Sequence, residues 1–377
     1  MSIRVCLFPA GTLSYPNGGG YLWIYLNWAL GFRSLGCEVI WLEGVSPTAP
    51  AQLVQLQVAT LKNRLERYGL AESLALCSWT GEPLPAETTA GCMNLDNAAE
   101  ADLLLNQRYG APSEIVGRFR RSALLDIDPG LLQIWISKGW IEVARHDLYF
   151  TISEAVAEAR PPIPDTDLRW QHAPPCVSLD LWSPHKARAA APFTTLTHWY
   201  AGGGAEDSGE AYADDKRSGF LPFLDLPQRT SQPLELALDV AADANIRASL
   251  NDRGWRVCDA YEVAATPWDY QRYVQDSLGE FSCAKPSYVR YQTAWISDRT
   301  VCYLASTKPA VVQHTGPSKF LPDSGGLLRF RNISEAAHAL EQIGRDYEQH
   351  CRLARALAEE LFDARKVARG VLEQALI

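Results

Sequence analysis

The chain has 377 residues, two to three times the length of a common single domain, so the sequence predicts two domains. Apolar residues make up 47% and charged residues 21%, which excludes a disordered, collagenous or coiled-coil protein. The 35 basic and 44 acidic residues leave a net charge of −9, which argues against broad nucleic-acid affinity and favours a neutral or cationic small-molecule partner.

Nine cysteines are scattered along the sequence without a CxxC pair, a pattern typical of reduced, mostly buried thiols. The N-terminus has the pattern of a first strand rather than of a signal peptide. The longest apolar stretch, residues 21–32, is too short for a membrane span. We therefore expect a cytoplasmic protein with no membrane partner.

The first half predicts a doubly wound α/β domain. Residues 3–8 and 38–43 have the pattern of buried strands, and between them lie a glycine-rich turn and an apolar helix that ends near residue 35. Strand, glycine loop, helix and strand form a βαβ unit, which starts a parallel sheet. Four further strands are predicted at 103–105, 122–126, 148–151 and 176–179.

The helix and strand periodicity lapses at 183–192, where we place the junction between the two domains. A β-branched strand at 193–199 opens the second half, and the polar stretch Gly202–Gly219 is predicted to be an exposed, mobile loop. Alternating elements follow, with strands at 234–238, 255–257, 279–283 and 310–312 and helices at 242–253, at 267–276 and from 298. From residue 334 the spacing of apolar side chains predicts amphipathic helices.

The predicted fold is therefore α/β, with two facing Rossmann-like domains, parallel sheets, an interdomain cleft and C-terminal amphipathic helices. Residues 1–188 form the predicted N-terminal domain and 189–350 the C-terminal one. Residues 351–377 form a C-terminal helix predicted to pack back on the first domain.

The first candidate site is the turn Gly18-Gly19-Gly20, at the start of the first helix. Glycines allow a ligand oxygen to approach the amides of a helix N-terminus, where the dipole favours anions. The spacing is not that of a GxGxxG dinucleotide site, and a turn that serves only packing is the alternative.

A second candidate is Ser297-Asp298-Arg299-Thr300, which opens the predicted helix at 298. A capped helix start with an arginine in its first turn is a strong clamp for a diphosphate. The alternative is that Arg299 pairs with Asp298 or with another acid.

A third candidate follows the next strand, at His314-Thr315-Gly316. Hydroxyls and a glycine at the carboxyl end of a buried strand suit a polyol or a phosphate, although a lone histidine is more often structural. Lys285 and Tyr288, just after the strand at 279–283, are predicted to lie at the same edge.

The first half contributes Asp126 and Asp128 at a strand end, and His146. Two carboxylates two residues apart point the same way from a strand, which suits a base or a polar clamp. The alternative is an ordinary turn at Asp128-Pro129-Gly130. HExxH, Walker A, GxSxG and zinc-type spacings are all absent from the sequence, so it predicts no metal site.

Residues 297–313 read SDRTVCYLASTKPAVVQ, which is similar to the donor-site helix and following strand of GT-B glycosyltransferases, where EALAxGxPVV is usual. Residues 279–330 as a unit also resemble uncharacterised bacterial members of that group. The position where many members carry an acidic residue for the donor ribose is Cys302 here. The resemblance is close for roughly a hundred C-terminal residues and architectural elsewhere.

That resemblance implies a metal-independent enzyme without a cofactor, which moves a sugar from a nucleoside diphosphate sugar to a hydroxyl or amine of a soluble acceptor. It places the leaving diphosphate on Ser297–Thr300, with Arg299 neutralising its charge and His314, Thr315 and Gly316 near the sugar or pyrophosphate. If transfer inverts the anomeric centre, Asp126, Asp128 or His146 would activate the acceptor. The alternatives are a nucleotide-sugar epimerase and a non-catalytic two-lobed sugar or nucleotide binder.

Overall fold

The computed structural model describes residues 2–200, 202–207, 210–240 and 242–376. Its contacts divide the chain into two compact units. The first unit comprises the chain up to Arg160, Pro164–Ser178 and the chain from Asp363 onward, and the second comprises Pro161–Ile163 and Leu179–Phe362. The chain thus passes to the second unit after Ser178, whereas the sequence analysis placed the junction after residue 188.

The first unit is built on a parallel sheet of seven strands. In chain order the strands are β1 Arg4–Phe8, β2 Glu38–Val45, β3 Leu74–Ser78, β4 Leu103–Asn106, β5 Ser122–Asp126, β6 Leu148–Thr151 and β7 Trp170–His172. Their spatial order is β3-β2-β1-β4-β5-β6-β7. The order reverses between β1 and β4, where Phe8 lies opposite Asn106. This reversal is the topological switch point, at which open parallel sheets bind ligands.

Seven helices belong to the first unit: α1 Gly19–Ser34, α2 Ala51–Glu66, α3 Leu95–Ala99, α4 Ser113–Val116, α5 Leu131–Ser137, α6 Glu154–Ala157 and, numbered last in chain order, α15 Ala364–Ala375. Helix α1 is apolar nearly all round because it is buried between the sheet and α15. A Cβ at Gly31 would lie 2.6 Å from the Ala364 carbonyl oxygen, so a glycine permits this close helix contact.

The second unit repeats the arrangement with six parallel strands: β8 Phe193–Thr197, β11 Leu234–Leu238, β12 Arg256–Asp259, β13 Gly279–Ser282, β14 Ala310–Gln313 and β15 Leu327–Phe330. Their spatial order is β12-β11-β8-β13-β14-β15, so this switch point lies between β8 and β13. The core under the sheet is rich in aromatic rings, with Phe281 stacked on Phe330.

The helices of the second unit are α7 Lys216–Phe220, α8 Ala244–Asn251, α9 Ala260–Ala264, α10 Pro267–Asp276, α11 Pro286–Arg290, α12 Asp298–Ala305, α13 Ile333–Arg345 and α14 Tyr347–Leu361. The α/β class, the parallel sheets and the C-terminal amphipathic helices are confirmed. The predicted C-terminal segment 351–377 is divided between the units, since α14 lies in the second and α15 in the first.

Two predicted elements are wrong, and the strands β3, β7 and β15 were not predicted. The stretch Gly202–Gly219 is not a loop: β9 Gly202–Asp207 and β10 Glu210–Asp215 pair as an antiparallel hairpin that leads into α7. Asp214 anchors this hairpin on α11 by accepting a hydrogen bond from the Ser287 amide, a tertiary contact that composition does not reveal. The predicted strand at 176–179 is reduced to a single bridge at Val177, because this apolar run is buried connecting chain.

Within the described residues, no helix is both long enough and apolar enough to span a bilayer.

Candidate functional site

Helix α12 begins at the carboxyl edge of the second sheet, as the sequence predicted. The Ser297 hydroxyl caps it by accepting a hydrogen bond from the Arg299 amide at 3.2 Å, and Asp298 is its first residue. Thr300 is buried in the first turn. Cys302 is also buried, 1% exposed, so its side chain is not available to a ribose. The helix thus offers its N-terminal amides and dipole, together with Arg299.

The Arg299 side chain is 13% exposed and lies at the switch point between β8 and β13. Its Nε donates to Glu280 Oε1 at 2.8 Å, its Nη1 to the Leu196 carbonyl at 2.9 Å and its Nη2 to Ser282 Oγ at 2.5 Å. The two strands pair only at their first residues, so the Leu196 carbonyl has no donor on β13 and Arg299 supplies one. The acid that pairs with Arg299 is the fully buried Glu280, not Asp298 or a surface residue.

Two lysines join Arg299. Lys216, the first residue of α7, has its ammonium 3.4 Å from the Cys283 carbonyl and 5.0 Å from the centre of the Trp295 ring. Burial, then the charges of Arg299 and Lys285, lower the pKa of Lys216 to about 7. Lys216 was not among the predicted site residues because the polar, glycine-rich stretch around it predicts a mobile loop.

Two buried carboxylates lie near these cations. Glu280 pairs with Arg299 through one oxygen, while its Oε2 has no hydrogen-bond partner among the described residues. Burial raises the pKa of Asp214, and the nearby Lys285 and Lys216 oppose that rise. With Asp298 at the helix start, three carboxylates face three cations. The preference for an anion therefore depends on the N-terminal amides and dipole of α12 and on the placement of the cations, not on an excess of charge.

The other candidates of the second unit meet at Trp295. Tyr288 stacks on the Trp295 ring with centroids 4.5 Å apart, and the Thr315 hydroxyl donates to the Trp295 carbonyl at 2.7 Å. Gly316 has φ of +133°, and a Cβ there would lie 2.5 Å from the Gln292 carbonyl oxygen. Thr315 and Gly316 therefore hold the loop that leads into α12.

His314 lies at the edge of a groove of about 950 Å³ that Arg329 and Arg331 also line. Its Nδ1 accepts a hydrogen bond from the Gly316 amide at 3.1 Å. Burial, followed by the charges of Arg331 and Arg329, lowers the pKa of His314. Its ring is therefore held neutral and contributes a hydrogen-bond acceptor to the loop rather than a charge.

In the first unit, Asp126 and Asp128 lie together at the end of β5. Asp126 is fully buried: its Oδ2 accepts from Gln133 Nε2 at 3.1 Å and from Thr151 Oγ1 at 2.9 Å, and its Oδ1 accepts from the Asp128 amide. Burial raises its pKa to about 7. Asp128 is only partly buried and accepts from the Tyr109 hydroxyl at 3.1 Å, so it is the better placed of the two to meet a ligand.

His146 is buried, and both of its ring nitrogens are engaged. Nδ1 donates to the Ala144 carbonyl at 2.7 Å, and Nε2 accepts from Asn106 Nδ2 at 3.1 Å. Burial lowers its pKa to about 4. This arrangement gives His146 a structural role, since neither nitrogen is available to take a proton from a ligand.

The glycine turn is closely packed. Helix α1 begins at Gly19, and a Cβ on Gly18 would lie 2.3 Å from the ring of Tyr15. The cavity beside it, next to Gly18 and Tyr21, has a volume of about 10 Å³. That space holds about one water molecule, so the arrangement favours the packing alternative.

A buried acid that the sequence analysis missed holds the loop after β1. Glu43 Oε1 accepts from the Thr12 amide and from Trp41 Nε1, each at 3.1 Å. Burial raises its pKa to about 7. The only sequence signal is a lone acid in an apolar strand, which requires a partner.

Among the described residues, no group of three histidine, cysteine or acidic side chains is arranged to hold a metal ion.

The chain matches no family model, and no curated protein matches it in sequence. Solved structures do resemble it. Anabaena Alr3699/HepE in complex with UDP-glucose is 13% identical, with 99% of each chain covered and a TM-score of 0.57. A glycosyltransferase from Rickettsia africae ESF-5 is 10% identical, with 99% of this chain and 98% of that chain covered and a TM-score of 0.53. T4 phage BGT in complex with UDP and Mn²⁺ is 8% identical, with 99% of each chain covered and a TM-score of 0.50. These similarities confirm the expected GT-B fold.

Proposed function

We propose that the protein is a glycosyltransferase that transfers a sugar from a nucleoside diphosphate sugar to a hydroxyl or amine of a small acceptor. The observation that carries this proposal is the group of cations at the switch point of the second sheet: Arg299 and Lys216, with Lys285 beside them. A diphosphate is the ligand that this group and the start of α12 suit best.

The chemistry requires stabilisation of a leaving group. As the bond between sugar and diphosphate breaks, negative charge accumulates on the diphosphate oxygens. Fixed donors and cations in a partly dry site stabilise that charge without reorganising. Arg299 is fixed by three hydrogen bonds to protein groups, and the two remaining N–H bonds of its five have no acceptor among the described residues.

The donor to test first is UDP-glucose, because the similar HepE structure contains it. We propose that the transfer is independent of a metal, with the cations of the second unit in the role of a divalent ion. The T4 phage protein was solved with Mn²⁺, so turnover must be measured both in chelator and with added Mn²⁺. Equal rates would support metal independence, and a rate that requires Mn²⁺ would exclude it.

Asp128 is the residue we assign to take the proton from the acceptor in an inverting transfer, since Asp126 and His146 are buried and hydrogen-bonded. A retaining transfer requires no such base. Asp126 positions the Asp128 backbone, since Asp126 Oδ1 accepts a hydrogen bond from the Asp128 amide. The nine cysteines form no disulfides, which supports a reducing, cytoplasmic location.

Thermal shift with a panel of nucleotide sugars tests the proposal. A ligand at a hundred times its dissociation constant adds about 2.7 kcal/mol of apparent stability. We expect a shift with one nucleotide series in the wild type and a smaller one in Lys216→Met. The matched control is Lys186→Met, because Lys186 is exposed in the same unit. An absence of shift with every nucleotide would contradict the proposal.

A turnover assay separates the remaining alternatives. An epimerase converts the donor when no acceptor is present, whereas a binding protein shows the thermal shift and forms no product. We expect product only when donor and acceptor are both supplied.

A further inference from the structure

The segment after β4 has no role in the donor site, yet it lies at the switch point of the first sheet. The amide of Gln107 donates to the Phe8 carbonyl at the end of β1, at 3.0 Å. Arg108 follows it, with its backbone amide bonded to Asn106 Oδ1. A ligand of the first unit is expected at this point, where the loops after β1 and β4 separate.

Arg108 lies on an aromatic platform. Its guanidinium carbon is 4.1 Å from the centre of the Trp79 ring. Trp79 stacks on Phe8, with ring centroids 5.9 Å apart and planes at 17°. A Cβ at Gly44 would lie 1.9 Å from the Trp79 ring, so only a glycine leaves room for this indole. The platform fixes the plane of the guanidinium before any ligand arrives.

No carboxylate among the described residues pairs with this guanidinium, although it is partly buried. The loop after β1 also leaves it space: Gly11 has φ of +93°, and a Cβ there would lie 3.2 Å from Arg108 Nη1. A stacked guanidinium that pairs with no carboxylate can donate two parallel N–H bonds to a planar carboxylate or a tetrahedral phosphate.

Arg108 also lies close to the proposed base. Burial is the largest cause that raises the pKa of the Tyr21 hydroxyl, but Glu43 and Asp128 raise it further, whereas Arg108 lowers it. Tyr109, the residue after Arg108, donates its hydroxyl to Asp128 Oδ2 at 3.1 Å. The loop after β4 is therefore tied to the proposed base by a direct hydrogen bond.

Gln107 supplies a second observation. The side chain is 1% exposed, and neither its amide oxygen nor its amide nitrogen has a hydrogen-bond partner among the described residues. Buried amides without partners are rare in native proteins, which keep them where water, an ion or a ligand completes the hydrogen bonds. This orphaned amide directly precedes Arg108 in the loop after β4.

We propose that Arg108 on the Trp79 platform, together with the neighbouring amide of Gln107, binds an oxyanion (a carboxylate or a phosphate) carried by the acceptor. The identification of this ligand as the acceptor rests on the proposed glycosyltransferase function, whereas the anion site itself does not. The net charge of −9 favours a neutral or cationic partner, but charges more than about 8 Å away are screened at physiological salt, so Arg108 determines the local preference.

Three matched ligands test the site by calorimetric titration: glucose, glucose 6-phosphate and glucuronate. All titrated proteins carry Lys216→Met, a substitution that weakens the donor anion site. One of them has no further change, the second adds Arg108→Gln, and the third adds the control Arg120→Gln, at an arginine that is exposed in the same unit. We expect one of the two anions to bind tightly, and Arg108→Gln to weaken it about 10- to 100-fold while Arg120→Gln leaves it unchanged. Comparison of the two anions identifies the oxyanion.

Equal affinity for glucose and both anions, or an unchanged anion affinity in Arg108→Gln, would overturn the proposal. If Arg108→Gln fails to fold, Arg108→Lys keeps the charge and loses the planar fork, and it must still weaken the anion at least several-fold. UDP binding, measured in parallel without the Lys216 change, isolates the proposed function. If the protein binds UDP but shows no selectivity for the anions, only this inference is refuted. If it selects the anion but does not bind UDP, only the proposed donor site is refuted.

Discussion

Lys216 links the donor site to pH. Its pKa is about 7 because it is largely, though not fully, buried and lies beside the cations Arg299 and Lys285, well below the 10.5 of a free lysine. A bound diphosphate brings at least two negative charges to this ammonium, which favours its protonated form. We therefore predict that the protein takes up a proton when it binds UDP at neutral or mildly alkaline pH.

The size of the uptake follows from the two pKa values. If binding returns the lysine to about 10, the uptake is about 0.5 proton at pH 7 and about 0.9 proton at pH 8. Between those pKa values the affinity for UDP falls about tenfold for each unit of pH rise. Calorimetric titration in buffers of different ionisation enthalpy at pH 8 measures the uptake directly.

The variant Lys216→Met should abolish this uptake, whereas Lys186→Met should retain it. The same substitution should stabilise the free protein. Between pH 7 and 10.5 the unfolded chain keeps a proton that the native lysine has lost, so the free energy of unfolding rises with pH through that window. Below pH 7 the lysine is protonated in both states, and the full destabilisation from burying its charge is present. Removing the charge at pH 6 should add about 1–2 kcal/mol, a figure reduced for the partial exposure of the side chain. Equal uptake in Lys216→Met, or none in the wild type, would refute the reasoning.

Three further predictions concern contacts inside each unit. Glu280→Gln removes the charge that pairs with the buried Arg299, and it should cost about 2–4 kcal/mol in urea unfolding; a loss below about 0.5 kcal/mol would contradict a buried pair. Gly316→Ala places a Cβ against the Gln292 carbonyl at a positive φ, and it should lower stability by about 1–3 kcal/mol in thermal unfolding and weaken UDP binding, since the loop into α12 must move. His146, with its pKa of about 4, should remain neutral from pH 5 to 8 in an NMR titration of its imidazole, and a midpoint near 6.5 would show that its burial is not as described.

The parts of the fold that the sequence predicts are those with strong local signals. Strands β1 and β2 contain the apolar runs 5–8 and 39–42, the helix between them is apolar nearly all round, and α12 has a capping serine at its start. Burial and capping both act within a few residues, so they appear in the sequence itself. The strands β3 and β15 were missed because short apolar runs have no periodicity that separates them from buried helix or connecting chain.

The site was predicted less completely because it depends on contacts between distant residues. The hairpin that leads to Lys216 is poor in strand-forming residues, and its anchor is a hydrogen bond from Ser287 to Asp214. The partner of Arg299 is Glu280, an acid within a predicted apolar strand, and only strand topology brings the two together. Likewise His146 has the residue type of a base, but burial and two hydrogen bonds remove it from that role.

A crystal structure of the protein with UDP tests the central claim most directly. We predict that the diphosphate lies at the start of α12, with its oxygens within hydrogen-bond distance of Lys216 Nζ and of the first amides of the helix. A diphosphate seated elsewhere, for example in the groove lined by His314, Arg329 and Arg331, would contradict the account.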